Sequence, residues 1–385
     1  MNQNECILVF PSWWPTIEYP LSGSFVLDQT LALKKKYNNP IVVVLFSDKP
    51  QNWIIDDSLD FLIINVRNYI PARLGKLFLR LKRSLYIYKF SSAVDKYLKQ
   101  KRLTPEYAIV QSILGNLFLH NSYLAKSGIP YIIIEHYTTF EKAGEKIFTP
   151  YSNLQDAKSF VANANFRFGV SKTFAKKYSN YFNAQFSHLY NPINNLFFQK
   201  EITKHKNQKF TFINIGGGTD NRKRPFFILE GLKSAFDFKV KLIFVAKDGL
   251  EDRLKEYANS IGFKHELEFY PKISKNELTD LFDQSHVLIS ASELESFGLT
   301  IIEANARGLP TICSKSGGPQ EIVTPQTGVL FDVDDAEGFE KGLKYIYENY
   351  QKFNSKEIVN YAEENFSEEI YASNILTELN KVKVN

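Results

Sequence analysis

Short apolar runs separated by longer amphipathic stretches recur along the whole chain. Runs of this kind are typical of buried strands, and their alternation with amphipathic helices indicates βαβ units and a parallel sheet. Six runs fall in the first half: Ile7–Phe10, Ile41–Phe46, Phe61–Val66, Ala108–Gln111, Tyr131–Ile134 and Phe166–Val170. Six more fall in the second half: Phe210–Ile215, Lys241–Val245, Leu267–Tyr270, His286–Ser290, Thr311–Cys313 and Gly328–Phe331. The pattern predicts an α/β protein with two Rossmann-like domains.

The length of 385 residues also favours two domains, because one core rarely serves so long a chain. Asn191-Pro192 discourages a helix and a polar stretch follows it, so we place the domains at 1–192 and 193–366. A last helical segment covers about 367–385. Ligands of open parallel sheets bind outside the carboxyl ends of the strands. We therefore expect the two domains to face each other across a cleft.

The composition is that of a soluble globular protein, with 44% apolar and 23% charged residues. No apolar run approaches the roughly 18 residues that span a bilayer, and the N-terminus lacks the pattern of a signal peptide. We expect a cytoplasmic protein. Cys6 and Cys313 lie beside apolar runs, which favours two reduced, buried thiols over a disulfide.

Charge is distributed unevenly, since residues 1–195 carry 23 Lys and Arg against 13 Asp and Glu, whereas residues 196–385 carry 24 against 29. Ten of the basic residues lie between Arg73 and Arg102, where Asp95 is the one acid and leucines are interleaved. Such a segment suits an anionic membrane surface or a phosphate-bearing acceptor. A solvated helix face is the alternative, and nucleic acid is disfavoured because no recognition motif accompanies the charge.

Candidate chemistry is densest between Ser285 and Pro319. His286–Ser290 is predicted to be a strand, Ala291–Gly298 a loop, and Leu299–Arg307 a helix. The backbone N–H groups of Phe297, Gly298 and Leu299 then start a helix, where both the free donors and the helix dipole favour an anion. This arrangement predicts a site for a diphosphate.

Two glutamates bracket this site. Glu295 can accept hydrogen bonds from sugar hydroxyls, and Glu303 can bind the two cis hydroxyls of a ribose. Glu303 could instead be a surface residue that complements the helix dipole. We assign Ser296 and Ile273 to the same donor-binding set.

The pattern of these residues resembles the retaining GT-B glycosyltransferases of family 4. The matching motifs are Glu295-x7-Glu303 with an internal Phe-Gly, Gly308-Leu-Pro310, Gly317-Gly-Pro-x-Glu321, Asn191-Pro-Ile-Asn194 with Phe197, Thr327–Phe331 and Phe366-Ser367. They span nearly the whole chain and are dense from 210 to 335. The resemblance implies two Rossmann-like domains, a C-terminal helix that crosses back to the first domain, retention of anomeric configuration and no metal.

A glycine-rich stretch followed by basic residues adds a second candidate for the diphosphate. Gly217 and Gly218 end a predicted strand, and Arg222, Lys223 and Arg224 follow. Lys223 matches the family's lysine, whose charge would stabilise the leaving diphosphate. The family arginine has no counterpart, because Gly218 stands there, so Arg222 or Arg224 is its candidate replacement. A dinucleotide-binding fingerprint is the alternative, but its third glycine is missing.

In the first domain, two positions match the family. Gly23 lies in a loop after the first predicted strand and resembles the family's N-terminal glycine loop, near the diphosphate and acceptor. His136 follows the strand Tyr131–Ile134 at the position of a donor-sugar contact. An ordinary surface loop and a purely structural histidine are the respective alternatives.

Metal ligands are not predicted. Asp332-Val-Asp334 resembles the Asp-x-Asp metal motif of a different glycosyltransferase architecture, but it precedes a helical stretch, where N-capping explains it better. The six histidines form no zinc spacing.

Together these observations predict a retaining, metal-independent glycosyltransferase of polysaccharide biosynthesis. It would move a hexose-type sugar from a UDP- or GDP-linked donor to an acceptor hydroxyl, on a lipid-linked or cell-surface oligosaccharide, at the inner face of the plasma membrane. Glu295, Lys223 and His136 are the predicted catalytic residues. A catalytically idle binding protein and another GT-B activity, such as a sugar-nucleotide epimerase, are the alternatives.

Overall fold

The computed structural model describes residues 4–20, 22–47, 49, 51–65, 75–138, 151–199, 209–216, 221–246, 249–271 and 273–382. The chain divides into two compact units. Unit 1 comprises Met1–Pro192 and Glu368–Asn385, and unit 2 comprises Ile193–Ser367. Gly217, Gly218 and Arg73 lie outside the described residues, so the sequence-based predictions at these positions stay predictions.

In the part of unit 1 that the structure describes, seven strands form a parallel sheet in the order β3-β2-β1-β4-β5-β6-β7. The strands are β1 (Glu5–Pro11), β2 (Ile41–Ser47), β3 (Asp60–Asn65), β4 (Thr104–Gln111), β5 (Tyr131–Glu135), β6 (Phe166–Gly169) and β7 (Ser187–His188). The helices are α1 (Ser24–Lys36), α2 (Gly75–Lys101), α3 (Leu117–Ser127), α4 (Leu154–Asn163) and α5 (Lys172–Phe182).

The described part of unit 2 contains a six-stranded parallel sheet in the order β10-β9-β8-β11-β12-β13. The strands are β8 (Thr211–Ile215), β9 (Lys241–Val245), β10 (Glu266–Tyr270), β11 (Val287–Ser290), β12 (Thr311–Ser314) and β13 (Gly328–Phe331). The helices are α6 (Leu196–Gln199), α7 (Pro225–Ala235), α8 (Leu250–Ser260), α9 (Lys275–Gln284), α10 (Leu299–Ala306), α11 (Pro319–Ile322), α12 (Ala336–Glu348) and α13 (Ser355–Phe366).

The final helix, α14 (Glu368–Val382), belongs to unit 1 although unit 2 precedes it in the chain. It packs against α1, where Lys35 pairs with the buried carboxylate of Glu368, and the Lys36 Nζ lies 2.9 Å from Glu369 Oε1. The apolar side chains of Tyr371, Ala372, Ile375 and Leu379 are buried. The C-terminal segment is therefore part of the core of unit 1.

In both sheets, the order in which the chain adds strands reverses at one point. The chain moves outward from β1 to β3 on one side and then returns to place β4 beside β1, and β8 and β11 repeat this arrangement in unit 2. Ligands of doubly wound sheets bind at this switch point, outside the carboxyl ends of the strands. The exit loops of β1, β4, β8 and β11 are thus where a site is expected.

The predicted fold class is confirmed, and all twelve predicted strands are present. Ten of them contain at least two buried residues, whereas β3 and β10 are mostly half-buried or exposed. The sequence missed β7, because its two residues, Ser187 and His188, are both polar and exposed. Cys6 and Cys313 are free and buried, as expected for reduced thiols, and burial raises the pKa of the Cys6 thiol to about 12.

Candidate functional site

The loop between β11 and α10 ends in a glycine with left-handed backbone. Gly298 has φ 109° and is the N-cap of α10, and no side chain among the described residues caps this helix start. Phe297 is buried, with its ring centroid 5.9 Å from that of Phe366. A Cβ at Gly298 would lie 3.0 Å from the Ile301 side chain and 3.1 Å from that of Ile322. The tight, glycine-capped turn presents backbone N–H groups at the positive end of the helix dipole, as an anion site requires.

The loop after β12 packs directly against this turn. Glu295 and Gly317 form a parallel bridge, in which the Glu295 N–H donates to the Ser316 carbonyl at 3.0 Å and the Gly318 N–H donates to the Glu295 carbonyl at 2.9 Å. A Cβ at Gly318 would stand 2.3 Å from the Phe297 Cα, so only glycine fits. The backbone of Glu295 is therefore fixed from both sides.

Glu295 is paired with Lys223. The Lys223 ammonium donates to Glu295 Oε2, and the two side chains are 32% and 19% exposed. Lys223 ends a short 3-10 turn, Asn221–Lys223, after β8. The Glu293 N–H donates to the Arg222 carbonyl at 2.7 Å, which ties this turn to the β11 loop. The fold thus brings together two residues that the sequence separates by 72 positions.

Arg224 makes a different set of contacts. It caps α7 with φ 51°, its guanidinium lies 2.6 Å from Asp334, and it packs 4.2 Å above the Phe227 ring. The guanidinium therefore already contacts a carboxylate and an aromatic ring.

The acidic motif near β13 differs in detail from the prediction. We expected Asp332-Val-Asp334 to cap the following helix, but Asp335 is the cap, and it accepts from the Gly338 N–H at 2.8 Å. Asp332 lies 3.0 Å from the Lys315 ammonium, and Asp334 pairs with Arg224. The cap is therefore one residue later than predicted, and Asp334 has left-handed backbone with φ 69°.

The other residues of unit 2 that were predicted to bind the sugar-nucleotide donor lie at the same edge of the sheet, near the carboxyl ends of the strands. Ser296 and Leu299 are half-buried beside Gly298, and Glu303 is half-buried on α10. Ile273 is buried in the loop that joins β10 to α9.

A cavity of about 160 Å³, which sequence reasoning missed, lies at the carboxyl ends of β9 and β10. Its lining includes Phe244, Ala246, Asp252, Phe269, Tyr270 and Pro271. The Phe244 and Phe269 rings stack with centroids 5.7 Å apart. These aromatic residues fall on ordinary apolar strand positions, so no sequence signal distinguishes them from core.

In unit 1, His136 follows β5 and is 9% exposed. Its Nε2 lies 2.8 Å from Gln111 Oε1, and its ring centroid lies 4.7 Å from that of Phe25. Burial lowers the pKa of His136 to about 3, so the imidazole is neutral near pH 7.

The residue before it, Glu135, is a fully buried carboxylate with four donors. They are the Ser112 hydroxyl and the N–H groups of Ile113, His136 and Tyr137, at 2.7, 2.7, 2.8 and 2.8 Å. Burial raises the pKa of Glu135, and these four hydrogen bonds oppose that effect. Glu135 joins the exit loops of β4 and β5 and so fixes the backbone of His136.

Gly23 lies beside the same loops. It has φ 76° and caps α1, and a Cβ there would stand 2.8 Å from the Trp14 backbone nitrogen and 2.9 Å from the Trp13 carbonyl carbon. Phe25, two residues on, carries the ring that packs on His136. The structure therefore brings the Gly23 loop and His136 together within unit 1, and Lys223, Glu295 and Gly298 together within unit 2.

Among the described residues, no group of three or more His, Cys, Asp or Glu is arranged to hold a metal ion. No described helix is both long enough and apolar enough to span a bilayer.

Comparison with known proteins identifies a family model and several relatives that match part of the chain. Residues 197–365 match the family model for glycosyl transferases group 1. A D-inositol 3-phosphate glycosyltransferase from Streptomyces avermitilis is 33% identical over 92 residues, 24% of this chain and 20% of that protein. A probable sucrose-phosphate synthase from Thermosipho melanesiensis is 29% identical over 173 residues, 42% of this chain and 39% of that protein. The chain thus matches well under half the length of these relatives.

Solved structures resemble the whole chain. Sucrose-phosphate synthase from Thermosynechococcus elongatus has a TM-score of 0.76 at 17% identity and covers 99% of both chains. An Anabaena protein in complex with UDP and glucose has a TM-score of 0.70 at 15% identity, with 97% of this chain and 99% of that chain covered. At these identities the likeness shows the fold, which is that of the GT-B glycosyltransferases.

Proposed function

We propose that the chain, whose residues 197–365 match the family model for glycosyl transferases group 1, moves a hexose-type sugar from a nucleotide diphosphate-sugar to an acceptor hydroxyl. The donor is UDP- or GDP-linked, and the anomeric configuration is retained. The observation that carries the proposal is the pairing of Lys223 with Glu295 in the loops that also hold the glycine-capped start of α10. A cation, a carboxylate and a helix N-terminus together suit a diphosphate and the sugar attached to it.

Donor binding would exchange the partners of this pair. Because both side chains are partly exposed, their ion pair is worth only about 0–1 kcal/mol and is easily replaced. Lys223 then turns to the diphosphate, and Glu295 accepts hydrogen bonds from the sugar hydroxyls. Glu303 binds the ribose, and the backbone of Ser296, Phe297, Gly298 and Leu299 holds the phosphate.

In the reaction, the acceptor oxygen bonds to the anomeric carbon while the bond from that carbon to the phosphate oxygen breaks. The acceptor proton passes to the leaving phosphate, whose new negative charge Lys223 stabilises. We assign His136 and Gly23 to contacts with the sugar and the diphosphate. Arg222 and Arg224 are both candidates for the missing family arginine, and Arg224 contacts Asp334 and Phe227 in this structure.

The test begins with the donor. A thermal-shift screen against UDP- and GDP-sugars should reveal one that stabilises the protein, by about 2.7 kcal/mol at 100 times its dissociation constant. Transfer of that sugar to an acceptor distinguishes a transferase from an idle binding protein, and a free isomerised sugar nucleotide would indicate an epimerase.

The Glu295→Ala variant tests the site itself. We expect at least a hundredfold loss of transfer, because the carboxylate that orients the sugar is removed while backbone hydrogen bonds still hold the loop. Glu293→Ala, an exposed glutamate of the same loop, is the matched control and should keep its activity. Full activity in Glu295→Ala would refute the assignment.

We also propose that the acceptor is a lipid-linked or cell-surface glycan, reached from an anionic membrane surface on the cytoplasmic side. Support comes from α2, where Leu81, Leu85 and Tyr88 are exposed at helical spacing and 57%, 40% and 70% accessible. Arg80, Lys89 and Lys96 are exposed on the same helix. Exposed apolar residues among basic ones are typical of helices that lie on anionic membranes.

A further inference from the structure

Four buried side chains form a continuous hydrogen-bonded series that starts at His136. His136 Nε2 lies 2.8 Å from Gln111 Oε1, Gln111 Nε2 lies 2.7 Å from Gln29 Oε1, and Gln29 Nε2 lies 2.5 Å from Asn191 Oδ1. They come from β4, the β5 exit, α1 and the segment after β7. Gln111, Gln29 and Asn191 are each at most 3% exposed. This amide series therefore links the β5 exit to three other parts of unit 1.

The amide series has a direction. Gln111 and Gln29 each accept through the side-chain oxygen on one side and donate through the side-chain nitrogen on the other, and Asn191 accepts at the end of the series. Gln111 could present its nitrogen to His136 only if all three amides turned together. If Gln111 turned alone, buried groups would be left without partners, at a cost of about 1–3 kcal/mol for each. In the observed arrangement Gln111 presents its oxygen to His136, so the matching tautomer carries its proton on Nε2.

The other ring nitrogen is left as an acceptor. His136 Nδ1 has no hydrogen-bond partner among the residues that the structure describes, whereas the ring plane is set by Phe25 and the backbone by Glu135. With Nε2 protonated, Nδ1 offers a lone pair and no proton. A group opposite it must therefore donate. A sugar hydroxyl can do so, and an ionised phosphate oxygen cannot.

We propose that Gln111, Gln29 and Asn191 are positioning residues that hold His136 as the Nε2–H tautomer, so that Nδ1 accepts a hydrogen bond from a hydroxyl of the transferred sugar. The inference rests on the proposed function for its ligand, because the sugar is that of the nucleotide donor. The tautomer itself follows from the amide series and is testable without any activity.

The first experiment is NMR of the full chain labelled with ¹⁵N-histidine, with the His136 signals identified by their loss in His136→Gln. We expect one tautomer at pH 7, with Nε2 protonated and Nδ1 bare. UDP-glucose and GDP-mannose are the probes, and UDP and GDP are the controls. The sugar nucleotide that binds should shift the Nδ1 resonance toward that of a hydrogen-bonded acceptor, and its free nucleotide should not.

Two NMR results would overturn the inference. One is a protonated Nδ1 or a mixture of tautomers in the wild type. The other is an equal Nδ1 shift from a sugar nucleotide and from its free nucleotide. If the sugar-specific shift is present but no sugar is transferred, the proposed function fails and the role of His136 in sugar binding stands.

A pair of substitutions at position 29 tests the direction of the amide series. Gln29→Glu, measured at a pH where its carboxyl is ionised, can only accept, so Gln111 keeps its orientation. Gln29→Lys can only donate, so Gln111 must turn and force the proton to Nδ1. Both place an ionisable group at the same buried position. We expect Gln29→Lys to lose about tenfold to a hundredfold more kcat/KM than Gln29→Glu, the loss of one buried hydrogen bond to the substrate. Equal losses, or an unchanged tautomer in Gln29→Lys, would contradict the inference, and the wild-type spectrum decides it if neither variant folds.

Discussion

Two buried histidines of unit 1 make its stability depend on pH. Burial lowers the pKa of His120 and of His136 to about 3. The unfolded chain, with a histidine pKa near 6.5, therefore binds these protons first as the pH falls. The stability present above pH 6.5 is lost progressively between pH 6.5 and pH 3. Each histidine should cost about 2 kcal/mol between pH 7 and pH 5.

His120→Leu should remove one of these two contributions. His120 Nδ1 is buried without a partner among the described residues, and the ring stacks on Phe10 at 5.1 Å. An apolar side chain of similar size should leave the unfolding free energy at pH 7 almost unchanged. Urea denaturation at pH 7 and pH 5 should show a smaller loss than in the wild type, by about 2 kcal/mol. His188→Leu, at an exposed histidine, is the control, and an identical loss in His120→Leu would contradict the expectation.

For single residues, the sequence indicates which residues belong to the site better than it indicates which side chains they contact. Glu295 and Lys223 were predicted from their local motifs, but their pairing is tertiary and no local spacing encodes it. Gln111 ends an apolar run and Gln29 lies inside a helix, so neither follows a pattern of known chemistry. Their role depends on three elements meeting at the β5 exit, which periodicity does not describe.

Among the elements, the two loops of unit 2 meet at a glycine that tolerates no side chain. In Gly318→Ala, the new Cβ would stand 2.3 Å from the Phe297 Cα and 2.4 Å from its carbonyl oxygen. The loops must separate, so we expect a loss of more than about 2 kcal/mol in stability and a weakened donor site. Gly262→Ala is the control, because it meets nothing within 4 Å and costs about 1 kcal/mol for its φ of 65°. Thermal shift with and without the donor measures both, and an unaltered donor response in Gly318→Ala would be the contrary result.

The exposed face of α2 yields a second prediction for an element. Wild-type protein should sediment with vesicles that contain phosphatidylglycerol, less so in 0.5 M NaCl, and not with phosphatidylcholine alone, since salt at about this concentration screens surface charge. Replacing Leu81, Leu85 and Tyr88 together by Ser should reduce binding at least tenfold by removing the apolar contact. Tyr345→Ser, at an exposed tyrosine of unit 2, should bind as wild type. Equal binding of the triple variant would show that α2 is only a solvated helix.

For the molecule as a whole, removal of α14 tests how much this helix contributes to the stability of unit 1. A chain that ends at Ser367 loses α14 and exposes the surface of α1 that it covers. Burial of Tyr371, Ile375 and Leu379 contributes roughly 1.5–3 kcal/mol each, so unit 1 should melt well below the wild type. Unit 2 keeps all its residues and should retain its own transition. A single unchanged melting curve would show that α14 is dispensable.

At the scale of the molecule, hydrophobic periodicity predicted the α/β class because twelve apolar runs of strand length leave few alternatives. It could not give the strand order, which depends on pairings between runs distant in sequence. β8, for example, lies between β9 and β11. Periodicity also could not predict the left-handed backbone of Arg224 and Asp334, since neither is a glycine that would mark a turn.

The position of α14 also has a consequence for synthesis on the ribosome. Its partner α1 ends at Lys36, but residues 368–382 are made only after all of unit 2. At roughly 5–20 residues per second, the 175 residues of Ile193–Ser367 take about 10–35 s to translate. Throughout that interval the surface of α1 that α14 later covers stays exposed on the nascent N-terminal unit, where a chaperone can bind it. Synthesis of α14, rather than of the first half of the chain, sets the moment at which that unit can close.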